Sequence, residues 1–480
     1  MSNEEAVVHR THVTPAGFAP FERKMLAAGL PDVAIWAFER SYGLLRSGAK
    51  LLIAEADIRP VEDVPSLDEL AGFRERGLAE LGATALLKLN GGLGTSMGLQ
   101  GPKSLIEVRP GLTFLDVVAQ QVLALGRKHG AHVPLVLMNS FHTESESLAR
   151  LATYPDLAGS VPMSFLQHKV PKVDARTLEP AVAATDPELE WCPPGHGDLY
   201  AAIVTSGVLE ELEAAGVRWV FVSNVDNLGA VLDPALLGYL ASESIPFLME
   251  VTDRTAADRK GGHLALLPDG RLTLREIAQT PPDELASFQD IERHRYFNTN
   301  NLWLDLRALR AQLAAHDQIV PLPVIRNEKT LDPADPRSAP VIQLETAMGA
   351  AISLFQGARA VRVPRTRFAA VKTCSDLVVV GSDAYVVNDE HHLVPNPARP
   401  GPAPIVELDS RYYKLFHEFQ ARFPAGMPSL VACDRLAVHG DVLFEPGVTA
   451  HGTVSVRNER GSQARVRAGT RLSGDVVLGD

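Results

Sequence analysis

Cysteine is scarce: 480 residues hold only Cys192, Cys374 and Cys433, far apart in the chain. That spacing offers neither a disulfide framework nor a thiolate metal site, and it suits a reducing compartment. Long apolar runs are missing too. No stretch of about 18 apolar residues occurs, so no membrane span is expected. The N-terminus carries Glu4, Glu5, His9 and Arg10, with no signal-type apolar run behind them. Positive charge is also short, with 46 Lys and Arg against 58 Asp and Glu, a net charge of −12. Nucleic-acid binders usually carry a basic footprint, so this balance argues against one. It does not argue against a small anionic substrate, which a few local lysines can hold. The expectation is a cytoplasmic globular protein with neither nucleic acid nor membrane as partner.

Glycine is present where it matters. Leu86–Ser104 reads LLKLNGGLGTSMGLQGPKS. An apolar run over Ala83–Leu89 predicts a buried parallel strand. It opens into Asn90–Gly98 and closes on Gly101–Pro102–Lys103–Ser104. Glycines let several backbone N–H groups converge on one ligand, and a lysine beside them suits phosphate. The stretch is not a P-loop, because Pro102 separates Gly101 from Lys103. Nor is it the dinucleotide fingerprint, because Gly92, Gly94 and Gly98 are spaced G-x-G-x-x-x-G. We read it as a strand feeding a loop that wraps a nucleoside triphosphate; a plain glycine-rich turn is the alternative.

The rest of the chain frames this stretch. Residues 1–80 read as mainly helical: Phe21–Leu45 splits at Gly29 and Pro31, and Ser66–Leu81 starts with Ser66 and Glu69 at capping-box spacing. From Ala83 short apolar runs (Val133–Met138, Trp219–Val222, Phe247–Val251) alternate with helical patterns (Thr113–Lys128, Ser206–Ala215). That rhythm predicts a parallel sheet covered by helices on both faces, with ligands beyond the carboxyl ends of its strands. His263–Ile277 reads as a hairpin turning at Asp269–Gly270, Tyr296–Leu306 as a strand, Leu344–Phe355 as a helix and Arg359–Val380 as strand-like. Pro395–Pro404 resembles a linker. Leu436–Leu478 is β-branched, with glycines at short irregular steps, and reads either as a small parallel β-helix or as an antiparallel appendage.

Several segments carry polar groups of chemical interest. Asp226 follows the run Trp219–Val222 within Ser223–Gly229; a carboxylate there is either a Mg²⁺ ligand or part of a turn. Trp191–Asp198, WCPPGHGD, is stiffened by prolines and opened by Gly195 and Gly197 around His196. Asn298–Asn301 groups amides that suit sugar hydroxyls. Gln167 is either a reader of a base edge or, as the residues alone favour, a surface glutamine; Lys372 is either a cation held between strand-like flanks or an ordinary surface lysine.

Together, LNGGLGTSMGLQGPKS, WCPPGHGDLY, FVSNVDNLGA, LREIAQTP, FNTNNLWLDL and VKTCSDL occur in this order across residues 89–377. In this respect the chain resembles the eukaryotic-type UTP–glucose-1-phosphate uridylyltransferases (UDP-glucose pyrophosphorylases). The resemblance implies an α/β fold: a Rossmann-like mixed, mostly parallel sheet flanked by helices, of the nucleotide-diphospho-sugar transferase type, with a C-terminal β-helix domain. It implies a helical segment over 1–80, a catalytic domain over 81–400 and a β-helix-like domain over 401–480. It implies Mg²⁺-assisted attack of glucose 1-phosphate on the α-phosphorus of UTP, without a general base or a Ser/His/Asp triad. Leu89, Asn90, Gly91 and Gly92 would then line the UTP site, Lys103 touch the phosphates, and Gln167 and Gly195 hold the uracil. His196 and Asn300 would face the sugar phosphate, Asp226 would bind Mg²⁺ with Asn224 beside it, and Lys372 would stabilise the transferring or leaving phosphate. Cys374 departs from the threonine more usual there, at a place that need not touch substrate. Another sugar 1-phosphate, such as galactose 1-phosphate or N-acetylglucosamine 1-phosphate, is the alternative substrate; a silent sugar-nucleotide sensor is the alternative class. Self-association through Leu436–Leu478 is expected from its open strand edges.

Overall fold

The computed structural model describes residues 14–94, 97–99 and 101–479. Thr95, Ser96 and Gln100 of the glycine loop lie outside them. Helices α1 (Ala19–Ala27) and α2 (Asp32–Arg46) open the described chain, with Pro31 in the N-cap position of α2. They pack Phe18, Phe21, Phe38 and Tyr42 against Val170, Cys192, Val324 and Ile342. Ser66 and Glu69 form the expected capping box, but Leu67–Phe73 is a 3₁₀ stretch and only Arg74–Glu80 is α-helical.

The centre is a 10-stranded sheet. Its strands include β1 (Thr84–Asn90), β2 (Leu135–Asn139), β3 (Ser164–Leu166) and β4 (Trp219–Asn224). It continues with β5 (Phe247–Asp253), β6 (His263–Leu266), β7 (Leu272–Arg275), β8 (Tyr296–Asp305) and β9 (Arg359–Arg362). The order is β6-β8-β4-β1-β2-β3, with Arg59–Pro60 beyond β6; β5 joins β8 to β9, and β7 pairs with β6. β4, β1, β2 and β3 are mutually parallel, while β8 runs against both β4 and β5. Most strands therefore point one way.

Alternation assigns each side chain to a face. Leu86, Leu135, Leu137, Trp219 and Phe221 pack with residues of α3 (Phe114–His129) and, beyond α4 (Leu199–Thr205), of α5 (Pro234–Ser242). Ala85, Leu87, Val136, Met138, Val220 and Val222 pack with α4 and Leu306–Ala315 on the other side. α3 starts at a Thr113–Asp116 capping box and ends at Gly130, whose φ of +63° is the left-handed C-cap.

Three expected elements differ. Leu344–Phe355 is not a helix: Pro340–Thr346 is a strand paired with Val324–Thr330, followed by a 3₁₀ turn over Met348–Ser353. Of Arg359–Val380 only β9 is a strand, and α6 (Cys374–Gly381) closes the segment. Arg411–Arg422 divides into two short helices, Ser410–Tyr413 and Phe416–Arg422.

Residues 396–404 have no regular structure, yet Arg399 is buried and donates to the carbonyls of Leu430 and Cys433. Beyond them, β10 (Ile405–Leu408), β11 (Cys433–His439), β13 (Thr449–Asn458) and β15 (Arg471–Leu478) pair in parallel. Between these lie β12 (Val442–Phe444) and β14 (Ala464–Val466), also parallel to each other. No helix among the described residues is long and apolar enough to cross a membrane.

Candidate active site

The parallel strands end together, and the residues just past those ends close a ring of contacts. β1 ends at Leu89–Asn90 beside Asn139 of β2 and Asn224 of β4. The Asn90 side-chain amide donates to Asn139 Oδ1 and Ser147 Oγ, both at 2.7 Å, tying β1 to β2 and the following helix. Its neighbours in the loop supply the wall. A Cβ on Gly91 would sit 2.7 Å from Gln167 Oε1, so only glycine lets that amide approach. Gln167 is held by its own backbone N–H on Asn139 O (2.7 Å), and its Nε2 donates to Gly195 O at 3.3 Å.

Gly195 has φ +81°, and a Cβ there would strike Thr346 O. The turn thus closes against the end of the strand Pro340–Thr346 and delivers His196. The Nδ1 of His196 accepts the backbone N–H of Met348 at 3.1 Å, which leaves the Nε2 proton as the ring's donor. Burial pushes this imidazole down to about 4, so it is neutral at ordinary pH.

Met348 leads to Gly349, which lies over Asn298; a Cβ on Gly349 would be 3.2 Å from Asn298 Nδ2. β8 is irregular here. Its register with β5 shifts between Asn301 and Asn298, and Asn300 takes φ +58°. A bulge of this kind re-aims a side chain, and Asn300 Oδ1 accepts from Asn298 Nδ2 at 2.9 Å. The backbone N–H of Asn298 donates to Gly262 O, and a Cβ on Gly262 would meet the Glu276 carboxyl carbon at 2.6 Å. Burial pushes the Glu276 carboxyl up to about 7, partly offset by the charge of Lys372.

Lys372 closes the ring. It is exposed, and its backbone N–H donates to Asp376 Oδ2 in the Thr373 capping box that starts α6. Next to it, Val371 O accepts from Lys103 Nζ. Lys103 Nζ also donates to Asp226 Oδ2 at 2.5 Å, and its backbone N–H returns to Gly92 O at 3.2 Å. The Lys103 side chain lies along the glycine loop, its Cγ 3.5 Å from a Cβ position on Gly94. Asn224 sits at the end of β4 and accepts the Asn227 N–H.

Beneath Asp226 and Lys372 lies a buried polar network. Glu250 and Arg367 pair through two bonds of 2.6 and 2.7 Å, and Trp303 and Asn301 also donate to Glu250. Asn227 donates to Arg367 O and accepts from Ala369 N, fastening the chain that leads to Lys372. Lys88, fully buried, donates to Ser223 Oγ and Ala230 O, and burial pushes its ammonium down to about 7. Cys374 is buried, donating to Lys414 O on the side away from the ring.

Gly262 and Glu276 belong to the ring although the sequence reading gave them no role. Glu276 lies within LREIAQTP, and its signal was a carboxylate placed directly after a strand.

A carboxylate beside the glycine loop, bonded to Lys103, fits a magnesium ion held by Asp226 together with phosphate oxygens and water. No cluster of three or more His, Cys, Asp or Glu side chains able to hold a metal occurs among the described residues. A metal carried largely by its substrate needs no such cluster.

A glycine loop at the strand ends, two lysines and a wall of amides and carboxylate define a nucleotidyltransferase cleft. The comparisons make this specific. Residues 38–451 match the family model described as UTP--glucose-1-phosphate uridylyltransferase. The chain is 41% identical over 415 residues to the UTP--glucose-1-phosphate uridylyltransferase of Saccharomyces cerevisiae, covering 86% of this chain and 81% of that one. It is 41% identical over 396 residues to that of Solanum tuberosum, covering 82% and 81%. A mutant UDP-glucose pyrophosphorylase from Leishmania major, solved in complex with UDP-glucose, superposes with a TM-score of 0.90 at 43% identity, over 97% of this chain and 100% of that one. The chain belongs to the UTP–glucose-1-phosphate uridylyltransferase family.

Proposed function

We infer that this chain is a UTP–glucose-1-phosphate uridylyltransferase, forming UDP-glucose and pyrophosphate. A phosphate oxygen of glucose 1-phosphate attacks the α-phosphorus of UTP. The new P–O bond forms as the bond to pyrophosphate breaks. The nucleophile is already anionic, so no proton has to be removed, and the task is to bring two anions together in line. The closed ring from Gly91 through His196, Glu276 and Lys103 carries this reading, because it sets both lysines between a base-reading arc and a hydroxyl-reading arc.

In this reading Leu89 and the backbone of Asn90, Gly91 and Gly92 line the nucleotide, while Gln167 and Gly195 hold the uracil edge. Lys103 meets the triphosphate. Lys372 balances charge on the transferring and leaving phosphates. His196 donates from Nε2, and Asn300 and Glu276 take sugar hydroxyls. Asp226, with Asn224 beside it, would hold Mg²⁺, which when bound supplies positive charge to the phosphate oxygens. Buried free thiols at Cys192, Cys374 and Cys433 suit a cytoplasmic setting.

We further propose the division into a helical segment over 1–80, of which 1–13 lie outside the described residues, a catalytic domain over 81–400 and a parallel β-helix over 401–480. The parallel stacking of β10, β11, β13 and β15, with β12 on β14, supports the last. β15 is an edge strand with Val477 57% exposed, which supports self-association there. A lower mass by light scattering for Val477→Glu is the expected result, and an unchanged mass argues against it.

The deciding experiment for the activity is pyrophosphate release across a panel of nucleotides and sugar 1-phosphates. UTP with glucose 1-phosphate is expected to give the highest kcat/KM. A better galactose or N-acetylglucosamine phosphate would displace the assignment, and UDP-glucose binding without turnover would make the chain a sensor.

A further inference from the structure

The hairpin β6–β7 presents Gly262 and Glu276 to the cleft. One residue further in, His263 and Arg275 are the paired positions, and alternation turns them to the opposite side. Arg275 is fully buried. Its Nη1 donates to Glu55 Oε2 at 2.6 Å and its Nη2 to Glu284 Oε2 at 2.7 Å. Glu55 comes from a 3₁₀ turn, Glu55–Asp57, in the segment between the N-terminal helices and the sheet. Its other oxygen accepts from Arg293 Nε at 2.7 Å and lies 3.0 Å from His294 Nε2.

The histidine in turn supports the hairpin. His294 stacks on His263 with ring centroids 3.9 Å apart. Both rings are buried, and burial pushes both imidazoles below their ordinary value. Two backbone bonds complete the joint. Glu55 N donates to Glu284 Oε2 at 2.6 Å, and Ile53 N donates to Gln279 O at 2.7 Å. Gln279 belongs to the 3₁₀ turn Ile277–Gln279, for which Glu276 is the N-cap. A single carboxylate therefore bonds or faces three cationic or ionisable partners, and the backbone N–H groups of Ile53 and Glu55 fasten the same segment to Gln279 O and to the Glu284 carboxylate.

We propose that Glu55 is a positioning residue for the sugar-phosphate half of the cleft: through Arg275 and His294 it fixes the end of the hairpin that carries Glu276, and so holds the Glu276 carboxylate beside Gly262, whose carbonyl accepts the Asn298 N–H. The proposal rests on the reading of Glu276 as a sugar ligand. Glu55 has no contact with the glycine loop, Gln167 or Lys103 among the bonds described, so its effect falls on one substrate. Without its charge the buried Arg275 keeps only Glu284, and the hairpin end relaxes.

The test is steady-state kinetics of full-length Glu55→Gln and Glu55→Asp, with both substrates varied. Glu55→Gln is expected to raise the KM for glucose 1-phosphate about tenfold, a change of roughly 1.4 kcal/mol, while the KM for UTP and kcat stay within about twofold. Glu55→Asp restores part of the loss. Equal rises in both KM values, or an unchanged KM for glucose 1-phosphate in a folded variant, would overturn the proposal. Should Glu55→Gln fail to fold, Arg293→Gln carries the test, since Arg293 is 47% exposed: a smaller rise confined to glucose 1-phosphate supports the proposal, and none refutes it. Glu276→Gln is measured alongside. If it leaves the KM for glucose 1-phosphate unchanged, the sugar reading of Glu276 fails. If it raises that KM and Glu55→Gln does not, only the positioning role fails.

Discussion

Lys103 Nζ lies 2.5 Å from Asp226 Oδ2, with both side chains largely buried. The pair spans the cleft between the glycine loop and the end of β4. Each partner neutralises the other until an anionic substrate competes for the lysine. Lys103→Ala should lower kcat by about 10²–10³-fold, the usual effect of removing one donor to a developing charge. Circular dichroism should show an intact fold, and a kcat within twofold of wild type would remove Lys103 from the mechanism.

Glu276 gives a pH signature. Burial raises its carboxyl to about 7 against an ordinary value of 4.5. Ionising it therefore costs stability above pH 7, and that cost is absent below about 4.5. Glu276→Gln should stabilise the fold at pH 8 by on the order of 1 kcal/mol, seen as a higher Tm, with little gain near pH 4. In the wild type the KM for glucose 1-phosphate should fall as pH rises through 7, because the ionised carboxylate is the better acceptor. A flat KM from pH 6 to 8 would contradict this.

His196 should show no titration near neutrality. Its pKa of about 4 and its bond from Met348 N hold it as a neutral Nε2 donor. Proton NMR of the ring should find it neutral from pH 5.5 upward. His196→Ala should raise the KM for glucose 1-phosphate more than that for UTP.

The Glu250–Arg367 pair is buried on both sides. Removing one partner strands a charge, which typically costs about 3–5 kcal/mol. Arg367→Met should lower Tm markedly, and Lys372, anchored through Asn227 and Ala369, should lose its place. The double variant Glu250→Gln/Arg367→Met should recover part of the Tm. A Tm unchanged in the single variant would show that the pair is dispensable.

Much of the cleft is legible in sequence because it is local. The strand ends follow from apolar runs and the loop from its glycines, whereas the Thr373–Asp376 capping box that starts α6 falls within a segment expected to be strand-like. What was misread is non-local. Leu344, Met348, Ala351 and Phe355 recur at helical steps, yet Val341, Ile342 and Leu344 are buried by pairing with Val324–Thr330, a partner no local pattern announces. Leu199–Thr205 is a helix buried nearly all round, so its run LYAAIVT shows no amphipathic period. The partners of the Asn90 side-chain amide, Asn139 and Ser147, are likewise brought to it only by the fold. Glu276 gains its raised pKa from surroundings gathered across the chain.

Gly195 and His196 are consecutive, and both are fastened to the short stretch Thr346–Met348, one by close approach and the other by a hydrogen bond. The residue that touches Gln167 and the residue proposed to face the sugar phosphate are thus parts of one stiff piece. A mutation that moves this piece to admit a different base also moves the donor used on the other substrate. The two preferences are therefore inherited together, and new specificity for either substrate is easier to reach from the opposite walls of the cleft, at Gln167 or Asn300, than from the turn between them.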